Sequence, residues 1–454
     1  MTPSSPAPPP ATSSAAARRA VDRDILRLAI PSLGALIAEP LFVMVDSAFI
    51  ARVSTTALAG LGLASLVLTT VVGLSVFLAY STTAAVSRAV GAGRLREAVA
   101  RGVDASWLAL GIGAACAALL VPLGAPLLSL FGAGADVTAQ ALIYLRISAL
   151  GLPAMLAVQA TTGLVRGLQD ARLPLIVALG GALLNIPLNY LLIFVLDLGI
   201  AGSAIGTVIS QWLMGAVLLG AVVRYARAHE VTLRPQLGAV AATGREAVPM
   251  LVRTLSLRIV SIATVLVAAR LGEVQLAAHQ LATTVFMALS LALDALAIAG
   301  QALTGRYLGA SDTGTVHAVT GRLMRWGVGG GAAAGLLLLA ASYVVPSLFS
   351  PDPAVQSNLQ AALWVLALAQ PLAGYVFVLD GVLMGAGDAP YLARAGMLTA
   401  AAVMPGAIAV GLLQPAGPLG LAALWAATNL LFMLARSVAL GLRVRGDAWM
   451  RVGA

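Results

Sequence analysis

The 454-residue chain has no lysine, one cysteine and three histidines, and only 10% of its residues are charged. Each scarcity excludes something. The lone cysteine, Cys116, excludes an intramolecular disulfide. With so few histidines and cysteines a zinc site would need convergent partners that the sequence does not offer, and His279 reads as a hydrogen-bonding group. There is no HExxH, Walker or nucleotide-binding pattern, so nothing supports a metalloprotease or direct drive by ATP. A chain this poor in charge, 60% hydrophobic and with a mean hydropathy of +0.96, is not a soluble domain.

What is present is apolar runs. Twelve reach the roughly 20 residues needed to cross a hydrocarbon core about 30 Å thick. They fall near residues 26–50, 57–85, 98–121, 137–165, 173–196, 200–224, 247–269, 277–304, 317–345, 354–383, 391–413 and 418–442. The expected fold is therefore an all-α polytopic membrane protein. All 27 basic residues are arginine and the formal net charge is +9. They sort by loop: one side collects, among others, Arg18, Arg19, Arg88, Arg94, Arg166, Arg227, Arg306, Arg394, Arg436 and Arg443, and the other holds only Arg52 and Arg270. This asymmetry places both termini in the cytoplasm of a cell-membrane protein and makes nucleic acid an unneeded explanation of the charge. Residues 1–21, rich in Pro, Ser and Ala, read as a disordered cytoplasmic tail rather than an export signal, and 446–454 as a second tail.

The chain repeats itself. A shift of 218 residues carries Phe131 of FGAGADV onto Phe349 of FSPDPAV, and likewise Pro31 onto Pro249, Arg88 onto Arg306, Gly91 onto Gly309, Pro187 onto Pro405 and Asp170 onto Asp388. Each half holds six spans, an even number, so the repeats are parallel rather than inverted. The expected domains are an N-lobe at 22–225, a cytoplasmic linker at 226–246 and a C-lobe at 247–445. Two such bundles can rock against each other, which is the architecture of an alternating-access carrier.

Polar residues inside the spans are the candidate site. Glu39 and Asp46 lie seven apart, two turns along one face of the first span, with Pro40 between them as a possible hinge. An intramembrane acid is a functional candidate by default; the alternative is a structural ion pair, with Arg146 as the partner. Asn185 and Asn189, four apart around Pro187, can bind a carboxylate or ligand, or join two helices. In the second half Asp294, Gln301 and Asp380 are the counterparts, and Arg253 and Arg258 are expected to neutralise the two aspartates. The GAGD at Gly385 to Asp388 resembles an intramembrane aspartyl protease motif. Its repeat mate GLQD sits in an equivalent loop, so both read as turns and the chain is not expected to be an enzyme.

The stretches EPLFVMVDSAFIARV, GLVRGLQDARLP, LNIPLNYLLIFVLDLGIAGSAIGT, VRTLSL, LAAHQLA and LDGVLMGAGD, in that order, resemble the multidrug and toxic compound extrusion (MATE) family, in particular its DNA-damage-inducible-protein-F-like branch, over residues 22–445. The resemblance implies a secondary antiporter, without a cofactor, that exports organic, often cationic and amphipathic compounds against an inward proton or sodium gradient. It also implies that Asp46 is the coupling residue. The family's helix 5 often ends Asn-x-x-x-Asp, where this chain has Asn185 and Asn189, which leaves Glu39 as the second acid. Family members with a C-lobe sodium site carry an acid in helix 7, and none lies between Ala247 and Ala269, so protons are the expected coupling ion and sodium the alternative. The expected partners are small organic substrates and the bilayer, and a monomer suffices. The rival readings are a lipid-linked precursor flippase of the same superfamily, a passive channel and the protease.

Overall fold

The computed structural model describes residues 15–453. Among these described residues the regular structure is all helical, with eleven helices long and apolar enough to cross a membrane and a twelfth span formed by a bent pair. In chain order they are α1 (Arg19–Ile50), α2 (Thr55–Gly91), α3 (Leu95–Ser129), α4 (Ala135–Ala149 with Leu152–Gly167, bent by 51°), α5 (Arg172–Val195), α6 (Gly199–Ala228), α7 (Leu237–Leu271), α8 (Glu273–Gly309), α9 (Thr313–Ala341), α10 (Pro353–Gly385), α11 (Ala389–Leu413) and α12 (Gly417–Arg445). The helix containing α1 already begins at Ala15. Most of the expected N-terminal tail, residues 1–14, lies outside the described residues.

Local chemistry explains where several helices start. The Ser54 side chain accepts from the Ala57 amide at the head of α2, and Asp312 and Asp352 accept from Thr315 and Ala354 at the heads of α9 and α10. The bend in α4 falls just before Pro153, which cannot donate to the preceding turn. Gly113 of α3 packs there: a Cβ on it would lie 2.5 Å from Pro153 Cα.

Large apolar side chains face outward along most spans, among them Leu336, Leu337, Leu398, Leu412 and Leu413. In a bilayer that surface is solvated by lipid tails. The interior is divided. Ile50, Leu61, Leu68, Leu145 and Ile193 form an N-lobe core, and Val267, Leu338, Leu363 and Leu424 a C-lobe core, both towards the end of the bundle away from the termini. At the terminus-bearing end one cluster crosses the lobes, joining Ile25, Leu28 and Leu78 to Leu303, Leu308 and Leu383. The lobes are packed together at one end and have separate cores at the other.

The crossing point of α2 and α8 shows how the repeats are related. A Cβ on Gly91 would collide with the Arg306 carbonyl, and a Cβ on Gly309 with the Arg88 carbonyl. Gly91 and Gly309, like Arg88 and Arg306, are 218 residues apart. Reciprocal contacts of this kind are the mark of a two-fold axis, here a pseudo-symmetry axis between the lobes. Polar contacts reinforce the same end. Arg88 donates to the carbonyls of Ala386, Arg451 and Gly453, Gln169 donates to that of Ala302, and Arg322 of α9 grips Asp22 of α1 through two hydrogen bonds of 2.5 and 2.6 Å.

Candidate functional site

A cavity of about 300 Å³ opens inside the N-lobe, lined by α1, α2, α4, α5 and α6. Its volume is at the lower end of the range for small-molecule sites. Asp46 and Glu39 both line it. Asp46 is 3% exposed, whereas Glu39 is exposed at the cavity and has no hydrogen-bond partner among the described residues.

The Asp46 carboxylate is surrounded by neutral donors. Asn189 Nδ2 donates to one oxygen, and Tyr144 Oη and Thr207 Oγ1 each donate to the other at 3.2 Å. The same Asn189 amide reaches Asn185 Oδ1 at 2.9 Å. Asn185 and Asn189 share one face of α5, and just beyond them the helix widens into a π turn over Leu191–Val195. Gly206 of α6 supplies the space for this arrangement, because a Cβ there would fall on Asn189 Oδ1. Arg146, the partner expected under the ion-pair alternative, points elsewhere and donates to the Val121 carbonyl. Among the described residues no cation is bonded to Asp46. Tyr144 and Thr207 were not singled out from sequence. A tyrosine in a chain with 5% aromatics was the available signal, but a lone threonine hydroxyl in a span carries none.

Pro40, the expected hinge, lies within a helix that continues without interruption past both Pro31 and Pro40. The acids on either side of it reach the cavity from one continuous helix.

The C-lobe is built differently from expectation. Asp380 is held by Arg253 at 2.7 Å and by Arg436 at 2.6 Å, all three side chains being buried. Arg258 takes no part: it is exposed, its guanidinium stands against Gly73 of α2 and it does not neutralise an aspartate. Arg166, counted above among the cytoplasmic arginines, is 8% exposed at the wall of the N-lobe cavity, and Arg436, counted with it, is 1% exposed and inside the C-lobe. Hydropathy sees only the apolar residues around it and cannot tell a helix-end charge from a paired one. Asp294 makes no hydrogen bond among the described residues, and Gln301 does not join the triad. Its amide crosses the lobe boundary to donate to the Tyr80 carbonyl at 2.5 Å. His279 packs against Trp425 with ring centroids 5.7 Å apart and the rings tilted by 51°, and its Nδ1 has no partner among the described residues, so it packs where hydrogen bonding was expected.

The repeat sets residues of the N-lobe cavity wall against the polar residues of the C-lobe. At the 218-residue shift Arg253, Asp380 and Arg436 correspond to Ala35, Thr162 and Leu218, all three of which line the N-lobe cavity. His279 and Trp425 correspond to Leu61, another lining residue, and to Thr207 of the Asp46 network. Arg253, Arg436 and Trp425 are larger than their mates Ala35, Leu218 and Thr207, and so take up in the C-lobe volume that the smaller residues leave to the cavity in the N-lobe.

Asp388, the aspartate of the protease-like motif, pairs with Arg443 at 2.6 Å. An aspartyl protease needs a second carboxylate opposite the first. Asp170 at the equivalent loop accepts from the amides of Arg172 and Leu173, as a helix-start turn does.

Fold and site together define a class: a two-lobed, polytopic helical carrier with a buried carboxylate beside a cavity in one lobe. Comparison with known proteins makes the assignment specific. The family model MatE matches residues 31–191 and again 249–409, two matches separated by the repeat shift itself. DNA damage-inducible protein F of Escherichia coli (strain K12) is 30% identical over 392 residues, covering 84% of each chain. Protein DETOXIFICATION 44, chloroplastic, of Arabidopsis thaliana is 30% identical over 438 residues, 92% of this chain and 81% of that one. Protein DETOXIFICATION 43 of the same plant is 35% identical over 256 residues, so that this match spans about half the length of either protein. Among solved structures, the Vibrio cholerae MATE transporter VcmN in its bent form superposes with a TM-score of 0.85 at 21% identity, over 95% of this chain and 99% of that one. A MOP superfamily transporter from Pyrococcus furiosus gives 0.82 at 20% identity, over 94% and 96%. The chain belongs to the MatE family of multidrug and toxic compound extrusion transporters, multi-span membrane proteins that are ion-coupled and are not enzymes.

Proposed function

We propose that the protein exports organic, cationic amphiphiles across the cell membrane in exchange for protons, with Asp46 as the group for which proton and substrate compete. The observation that carries this reading is that Asp46 is buried at a cavity wall and held only by neutral donors. An arginine partner would lock the carboxylate in its charged form. Amide and hydroxyl donors stabilise it yet leave the counter-charge to be supplied by whatever enters, a proton or an ammonium. A difference of one pKa unit between two conformations of such a group is worth about 1.4 kcal/mol, and a few such units bias a two-state carrier.

The arginine asymmetry supports placing both termini in the cytoplasm. The interlobe seal at Gly91, Gly309, Arg88 and Asp22 then lies on the cytoplasmic side. Protons are favoured over sodium because α7 carries no acid within residues 247–269 and α5 offers Asn189 where the family often has an aspartate. A lipid-linked precursor flippase calls for a cationic cavity, whereas this one presents two carboxylates and a single arginine.

The test is transport in vesicles holding a trapped pH dye, with a proton gradient and no sodium. Wild type is expected to move protons when a lipophilic cation is added, and Asp46→Asn to lose that response. Full proton-coupled export by Asp46→Asn would overturn the mechanism. A response restored only by a sodium gradient would replace the ion.

A further inference from the structure

The cavity wall formed by α4 carries a cation that the export mechanism does not use. Gln159, Thr162 and Arg166 follow one another at spacings of three and four on α4, so they share a face, and all three line the cavity. Arg166 is 8% exposed and donates no hydrogen bond among the described residues; its Nε is buried without a partner. Gln159 spends its amide nitrogen on the Val72 carbonyl at 3.0 Å, while its Oε1 is buried and unpartnered. A buried guanidinium nitrogen without an acceptor carries a desolvation cost that no hydrogen bond offsets. The charged and titratable groups near it are Asp294 of α8 and Tyr80 of α2, and neither is within hydrogen-bond distance of it.

The fold does not require this arginine. At the repeat shift its position in α10 is Met384, which packs in an apolar core. Gly163 and Gly167 around it keep their mates, Gly381 and Gly385, so the backbone geometry is common to both halves and the charge belongs to the N-lobe alone.

We infer that Arg166 is an anion subsite, and that the preferred substrates are zwitterionic amphiphiles whose carboxylate docks on Arg166 while their cationic end is held by Glu39 and Asp46. The inference rests on the export reading above and adds a second point of recognition to it. A planar guanidinium presents paired donors that match a carboxylate, and a ligand acceptor would satisfy the group that the protein leaves bare.

Two probes differing only in the group that Arg166 would read make the test: a rhodamine with a free benzoate and the methyl ester of the same dye. Binding is followed by fluorescence anisotropy with the protein in lipid nanodiscs near neutral pH. Wild type is expected to hold the acid about tenfold more tightly than the ester, the scale of one charge-assisted hydrogen bond. In Arg166→Gln the ratio falls to about one, and in Arg166→Lys, which keeps the charge, a preference for the acid survives. Equal affinity of wild type for both dyes overturns the subsite whatever the variants do, and so does an acid preference that persists in Arg166→Gln. Failure of wild type to bind either dye overturns the export reading and the subsite with it, so the two failures are distinguishable.

Discussion

Asp46 shows how much a single carboxylate depends on neighbours that are far away in the chain. Its three donors come from α4, α5 and α6, and the fit of Asn189 among them depends on the absence of a side chain at Gly206. Gly206→Ala is therefore expected to push Asn189 off the carboxylate and to cost about 1–3 kcal/mol, the usual range for overpacking. Thermal unfolding of the purified protein measures the cost, and substrate-induced proton movement should fall with it. An unchanged melting temperature with unchanged transport would mean that the contact relaxes freely. The acid itself was legible in the sequence because charge in a span is conspicuous. Tyr144 and Thr207 were not, because tyrosine and threonine are tolerated at many positions along a membrane helix.

At the scale of elements, the two lobes have the same helices but opposite interiors. The Arg253–Asp380–Arg436 triad is a buried charge cluster whose attraction offsets its desolvation only while all three members are present. Asp380→Asn leaves two unpaired arginines and is expected to destabilise the protein by about 3–5 kcal/mol. The combined change Arg253→Ala, Asp380→Thr and Arg436→Leu installs the residues that line the N-lobe cavity and should cost less than the single substitution, because no charge is stranded. Melting temperatures of the two variants decide it: a triple variant less stable than Asp380→Asn would show that the triad acts by filling space and not by neutralisation. The sequence revealed Arg253 and Asp380 as candidates but gave Arg258 as the second arginine. Arg258 and Arg436 differ in which way their helix faces, and helices with such even hydrophobicity do not announce a face.

For the whole molecule the question is what holds the terminus-bearing end shut. The reciprocal packing of Gly91 on Arg306 and of Gly309 on Arg88 leaves no room for a side chain at either glycine. Gly309→Leu is expected to part α2 from α8 and shift the population towards a state open at that end. Spin labels at Arg96 and Gly314, exposed positions on opposite lobes near that end, in a Cys116→Ser background, should then report a longer or broader distance distribution than in the parent protein. An unchanged distribution would place the seal in the Arg88, Gln169 and Arg322 hydrogen bonds instead. Opening in this way is the motion that alternating access requires, and its cost is set by a few close contacts because the lobes have separate cores elsewhere.

Length, apolar periodicity and the constant 218-residue shift determined the class of fold, the number of spans and the parallel repeat from the sequence alone, because a bilayer admits few alternatives and a repeat written in glycine and proline survives drift in the apolar residues. The sequence also named Asp46, Glu39, Asn185 and Asn189. Only the tertiary structure decided that Asp46 has no cationic partner, that Arg436 joins Asp380 inside the C-lobe while Arg258 does not, that α1 passes Pro40 unbroken, and that the cavity belongs to one lobe. Those outcomes depend on which faces of twelve nearly uniform apolar helices meet, and that is settled by side-chain volume and charge pairing between positions far apart in the chain.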